Sequence, residues 1–404
     1  MHVPLRKWLT ISLLNLLLVG TLGVLMRYKI AFYLPFVQQK FVLHSHSHFA
    51  FSGWITQTLV VLMVHHLALK NGEGVFGKYR WLLWANLITS YGMLLSFIIQ
   101  GYAFFSISFS TLSIFVSYVF AVYYWKDLNR LTAETISRRW FKAGLIFNVL
   151  SSVGAFSLAY MMANKITHQN WYLACIYFFL HFQYNGWFFF AGIGLLVSRL
   201  APLIADVKKM RLVFLLFSLA CVPAYFLSVL WLPLPMVASA CIVAAVIAQL
   251  AGWILLLQSI RRTRAISDNH FGSHGKIIFI LVSIAFSIKL LLQACSVHPA
   301  LSTLSYSFRP IIIGYLHLVL LAVTSLFLIG FMVAFKLIQV TRLLLTGIYI
   351  FIAGIILNEL LLMIQGVAAF SYNSVPQINL LLLAAALVLW AGIGIMFISR
   401  FGKK

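Results

Sequence analysis

His44-Ser45-His46-Ser47-His48-Phe49-Ala50-Phe51-Ser52-Gly53-Trp54, continued by Ile55-Thr56-Gln57-Thr58-Leu59-Val60-Val61-Leu62-Met63-Val64, decides how this chain is read. Three imidazoles at alternate positions open a predominantly apolar run that extends over residues 43–69. About 20 such residues carry a helix across the hydrocarbon core, so the run is a membrane span with histidines at its head. An imidazole at membrane depth is costly. It calls for a partner, either a metal or a network of hydrogen bonds.

Outward from that stretch the same composition continues. Of 404 residues, 63% are hydrophobic and only 9% are charged, with apolar runs longer than a soluble core needs. Twelve runs reach spanning length, at residues 8–28, 43–69, 80–101, 105–125, 142–163, 171–198, 211–231, 235–258, 276–296, 310–335, 342–366 and 376–399. The segments between them are too short to bury a core, so residues 1–404 are expected to form one all-α, twelve-span membrane domain. The first span lacks a small-residue cleavage site and is expected to be retained.

A net charge of +23 would fit a nucleic-acid binder if the cations clustered, but they alternate from one inter-span segment to the next. Arg138, Arg139 and Lys142 fall on one such segment, and Lys208, Lys209 and Arg211 on another. The positive-inside rule then puts both termini in the cytoplasm, N-in and C-in, as for a multi-pass protein of a bacterial inner membrane. Anionic head groups of the inner leaflet become the partner for this charge, and nucleic acid is excluded.

This topology gives the histidines a depth. Spans two, six and ten run inward, and each carries histidine in its outer part: His44, His46 and His48, then His181, then His317. At about 1.5 Å per residue, His317 lies roughly 10 Å and His48 roughly 8 Å below its own helix start. The two depths match, so imidazoles of spans two and ten could face each other across a bundle. Positions four apart share a helix face, so His44 and His48 point one way and His46 another.

Those spans, with His46-Ser47-His48 ahead of Gly53-Trp54, His181-Phe182-Gln183-Tyr184-Asn185-Gly186-Trp187 in span six and Tyr315-Leu316-His317-Leu318 in span ten, resemble the catalytic subunit of the heme-copper oxidase superfamily, which includes the nitric oxide reductases. The resemblance implies a subunit I-type bundle with a low-spin heme, most naturally b-type, held between His317 and either His46 or His48. It makes His181 the counterpart of the span-six metal ligand. The sequence departs from that pattern in two places. Tyr315 stands where the first histidine of the span-ten pair would be, and span seven, from Leu212 to Trp231, has no histidine. A complete copper or non-heme iron center is therefore not expected, and electron transfer or handling of a heme ligand such as nitric oxide is expected over oxygen reduction. Whether the chain is an enzyme stays open. Respiratory subunits are the implied partners.

Other residues join the candidate site. Arg309 precedes His317 by two turns and could receive the propionates of a heme. Trp54 could wall a cofactor, and His44 joins His181 as a possible metal ligand. Lys289 and Glu359 are charges inside spans nine and eleven that could pair or line a proton route. His65 and His66 read as interfacial, and the four cysteines, on four spans without C-x-x-C spacing, read as packing residues. Two other classes stay open on the sequence: a proton-coupled secondary transporter, and a non-catalytic assembly partner of a respiratory complex.

Overall fold

The computed structural model describes residues 3–131, 136–204 and 206–402, and among them helix is the only regular structure. Eleven helices are long and apolar enough to cross a membrane. They are α1 (Val3–Ala31), α2 (Gln39–Asn71), α3 (Gly74–Gln100), α4 (Phe104–Arg130), α5 (Ile136–Ala163) and α6 (Gln169–Leu203), then α8 (Met236–Arg262), α9 (Phe271–Cys295), α10 (Arg309–Ala334), α11 (Arg342–Phe370) and α12 (Ile378–Ile398). A multi-pass, polytopic helical membrane protein follows from this set.

The expected seventh span, 211–231, is built differently. Helix α7 covers Val207–Cys221 and then gives way to a 3₁₀ turn, Pro223–Ser228. Pro223 has no N–H to donate and its ring clashes with the preceding turn, so the α pattern stops there. A short helix, Pro299–Ser307, connects α9 to α10. Asp206 starts α7 by accepting from the Lys209 amide at 2.8 Å, and Thr341 starts α11 by accepting from Leu344 at 3.1 Å. Gly72 and Gly101 end α2 and α3 with φ of +85° and +62°, a region that costs side-chain-bearing residues more.

The chain divides into two compact units, one of Met1–Val122 with Arg309–Lys404 and the other of Tyr123–Phe308. In the first, α1 packs on α2 and α12, α2 on α3, and α11 on α12. The α11–α12 seam depends on glycine. A Cβ on Gly347 would stand 2.8 Å from the Gly392 carbonyl, and one on Gly392 would stand 2.5 Å from the Phe351 nitrogen. Small residues allow such close backbone approach, which is what draws helices together in lipid. In the second unit α5 packs along α6, and α7 along α8.

Three of the helices change pitch partway. Wider π turns occupy Ala50–Thr56 in α2, Phe182–Phe188 in α6 and Leu318–Ser325 in α10. His181 and His317 stand immediately before their turns, and His48 two residues before its own. Turns of this kind are rare and gather at functional positions.

Candidate functional site: two open imidazoles in the first unit

His46 of α2 directs Nδ1 to the Val19 carbonyl of α1 at 3.1 Å, over Gly23, where an added Cβ would meet the ring at 3.5 Å. His317 of α10 directs Nδ1 to the Ile313 carbonyl one turn back, at 2.8 Å. A carbonyl oxygen can only accept, so both rings carry their proton on Nδ1. Nε2 is then a bare lone pair on each ring. Metal-bound histidines use this arrangement, in which the second ring N–H is anchored on a carbonyl and the ligand nitrogen is aimed by it.

His46 and His317 lie within electrostatic reach of each other, and both lie within reach of the Arg27 guanidinium on α1. Both residues are half-buried. Arg27 makes no hydrogen bond or ion pair among the described residues. Arg309, the residue the sequence suggested for a propionate, is exposed at the first position of α10. Arg27 is thus a cation within reach of both imidazoles, and the sequence alone assigned it no role at the site.

The other candidates have different surroundings. His48 is occupied, with Nε2 3.0 Å from the Tyr102 hydroxyl and its ring stacked on Phe97 at 4.4 Å. His44, one turn earlier on the same face, meets the edge of Tyr102 at 4.6 Å between ring centroids. Trp54 is 1% exposed, and its indole N–H donates to Ser325 Oγ at 2.8 Å. That bond ties the π turn of α2 to the π turn of α10. Ser325 in turn donates to the Leu320 carbonyl five residues back. Trp54 therefore joins the two histidine-bearing helices instead of lining an open space. His65 and His66, expected at the interface, are buried at 5% and 7% exposure, because α2 continues to Asn71 and carries them inside the bundle.

In the second unit His181 is fully buried and uses both nitrogens. Its Nε2 donates to the Cys221 carbonyl at 2.8 Å, and its Nδ1 accepts from Asn185 Nδ2 at 3.1 Å. The Cys221 carbonyl is available because α7 breaks. The Tyr225 amide, which would have reached it in a continued helix, bonds Val222 instead at 3.1 Å. His181 is the cap of a broken helix, with no lone pair left for a metal. Gln183 adds bonds to Asn148 and Ser151 at 2.9 and 2.8 Å, so the span-six polar group is a closed network.

Lys289 is 3% exposed in the same unit, and its ammonium lies 5.2 Å from the Phe286 ring centroid, with no carboxylate partner among the described residues. Glu359, in the first unit, is half-buried and accepts from its neighbor Asn358 at 3.2 Å. The four cysteines are free thiols.

No protein-family model matches this chain, and no curated protein matches it.

Proposed function

We propose that this protein is a divergent member of the heme-copper oxidase subunit I type that holds a low-spin b-type heme between His46 and His317. The observation that carries the reading is the matched state of those two rings: each has Nδ1 fixed to a carbonyl and Nε2 open, and they lie within mutual electrostatic reach. His48 drops out of the choice the sequence left open, because its ring lies on the other face of α2, stacked on Phe97 beside Tyr102, away from His46 and Val19.

A heme so held supplies a one-electron ferric–ferrous couple, whose potential follows the axial ligands and the burial of the site. The chain's own residues would do three things. Val19 and Ile313 fix the tautomer and direction of the two rings. Arg27 offers planar donors to propionate carboxylates. The Trp54–Ser325 bond sets the distance between the helices that carry the rings. With His181 committed to the Cys221 carbonyl, electron transfer or binding of a ligand such as nitric oxide is favored over oxygen reduction at a second metal.

The reading includes twelve crossings. Helix α7, at 15 residues, and the 3₁₀ turn after it, at 6, would together span about 34 Å at about 1.5 and 2.0 Å per residue, enough for a core of about 30 Å. Both termini then lie in the cytoplasm of a bacterial inner membrane, with the basic segments on anionic lipid and respiratory subunits as partners.

Visible spectroscopy of the purified protein tests this. The expected result is sharp bands on reduction with dithionite, absent in His46→Ala and in His317→Ala and retained in His48→Ala. A folded but colorless wild-type protein, purified from heme-sufficient cells, would reject it.

A further inference from the structure

A second group of donors sits at the outer end of α2 on the face away from His46. His44 and His48 stand one turn apart, and the Tyr102 ring lies against both, at 4.6 and 5.9 Å between centroids. Phe97 backs the group, stacked on His48 at 4.4 Å and edge-on to Tyr102 at 4.9 Å. Tyr102 is brought there by Gly101, whose φ of +62° turns the chain sharply out of α3 and whose missing side chain makes room for Phe41.

Two features of this group have the form of a metal site. The first is spacing. His48 Nε2 and Tyr102 Oη are 3.0 Å apart. Two ligands each about 2.0 Å from a tetrahedral ion stand about 3.3 Å from each other, so an ion could replace the proton these two atoms share with only a slight opening of the pair, the phenol proton leaving to water. The second is an unspent donor. His44 Nε2 is buried without a hydrogen-bond partner, a state that ordinarily destabilises. An ion would give that lone pair something to bind. No three His, Cys, Asp or Glu side chains converge among the described residues, so the third ligand has to be the phenol. Tyr102 is 38% exposed, which leaves the group open on one side to an arriving ion and to a water as fourth ligand.

We infer that His44, His48 and Tyr102 form a binding site for a single copper or zinc ion, separate from the site between His46 and His317. Two imidazoles and one oxygen suit ions at the copper–zinc end of the divalent series. Lys40 lies one turn before His44 and within electrostatic reach of it, which lowers the affinity for a cation. A dissociation constant in the micromolar range is therefore expected, not a permanently filled structural site. The site does not depend on heme being bound.

The test uses full-length protein in detergent, without a polyhistidine tag, titrated with Zn²⁺ against a chromophoric chelator and with Cu²⁺ by electron paramagnetic resonance. The expected result is one ion per chain, with nitrogen hyperfine structure from two imidazoles. Affinity should fall at least tenfold in His44→Gln and in His48→Gln, and severalfold in Tyr102→Phe, which keeps the ring. His168→Gln, an exposed histidine elsewhere on the outer side, should bind as wild type. A readout without mutation guards against misfolded variants: Zn²⁺ should slow modification of His44 and His48 by diethyl pyrocarbonate, followed by mass spectrometry. No bound ion at 100-micromolar metal, an unchanged affinity in the His44→Gln/His48→Gln double variant, or undiminished modification under Zn²⁺ each overturns the assignment.

Discussion

Replacing His181 by alanine separates a helix cap from a metal ligand. The imidazole is fully buried between Cys221 and Asn185, so its removal leaves the Cys221 carbonyl without a donor and the Asn185 amide without an acceptor. An orphaned buried carbonyl costs about 1–3 kcal/mol. The space left by the ring, roughly 60 Å³, adds about 1.5 kcal/mol at about 24 cal/mol per Å³. Interhelical hydrogen bonds in membrane proteins average only about 0.6 kcal/mol when the freed groups find substitutes, which sets the low end. Here no substitute is at hand, because Pro223 brings no amide and the Tyr225 amide is already spent on Val222. The expected loss is about 3–4 kcal/mol for His181→Ala. His181→Gln, whose amide nitrogen can still reach the carbonyl, should lose less than half of that. The assay is unfolding by sodium dodecyl sulfate from mild detergent, followed by far-ultraviolet circular dichroism, with hydrogen exchange over residues 223–228 as the local probe. If the alanine variant were as stable as wild type, or if it kept its stability while losing one equivalent of bound metal, the capping role would be wrong.

Two further outcomes follow from the same geometry. In a double-mutant cycle of Trp54→Phe and Ser325→Ala, the coupling should be about 0.6–1.7 kcal/mol, the range for a hydrogen bond between membrane helices, and zero coupling in the unfolding assay would show that the 2.8 Å contact does not join α2 to α10. Lys289→Met should raise stability by about 1–4 kcal/mol, because an ammonium at 3% exposure beside the Phe286 ring, without a carboxylate partner among the described residues, bears an uncompensated desolvation cost, and a loss of stability would mean that a counter-charge holds it.

The membrane helices were legible because the signal for a span is a sum over about 20 residues and survives local irregularity. The break inside the seventh was not legible for the same reason. Hydropathy does not distinguish an α-helix from a helix that stops at Cys221 and continues as a 3₁₀ turn, and Pro223 was the residue that carried the difference. At the site, helical phase separated His46 from His44 and His48, but phase alone could not say which face held open donors. That depends on Tyr102, which Gly101 swings against α2 from another helix. Arg27 was missed because a cation near the end of a span reads as an interfacial anchor unless its neighbors in space are known.

The π turns explain why face arithmetic works for the N-terminal half of these three spans and fails beyond it. A π turn takes up one residue more than an α turn, so side chains after it are rotated by about 100° from where an unbroken period would put them. In α2 the break falls between His48 and Gln57, and Gln57, at 0% exposure, accepts from Asn86 at 2.7 Å inside the bundle. In α10 it falls directly after His317, and Thr324 and Ser325 reach back five residues to the Val319 and Leu320 carbonyls at 2.8 and 2.7 Å. The widened turn thus leaves carbonyls that hydroxyls satisfy, and it frees the histidine half from the packing phase of the C-terminal half. His46 and His317 are oriented by carbonyls at Val19 and Ile313, both outside the π turns, while the Trp54–Ser325 bond joins the turns themselves. Orientation of the rings and spacing of the helices are therefore set by separate contacts, so a change in the C-terminal half of α2 or α10 should alter stability before it alters the direction of either imidazole.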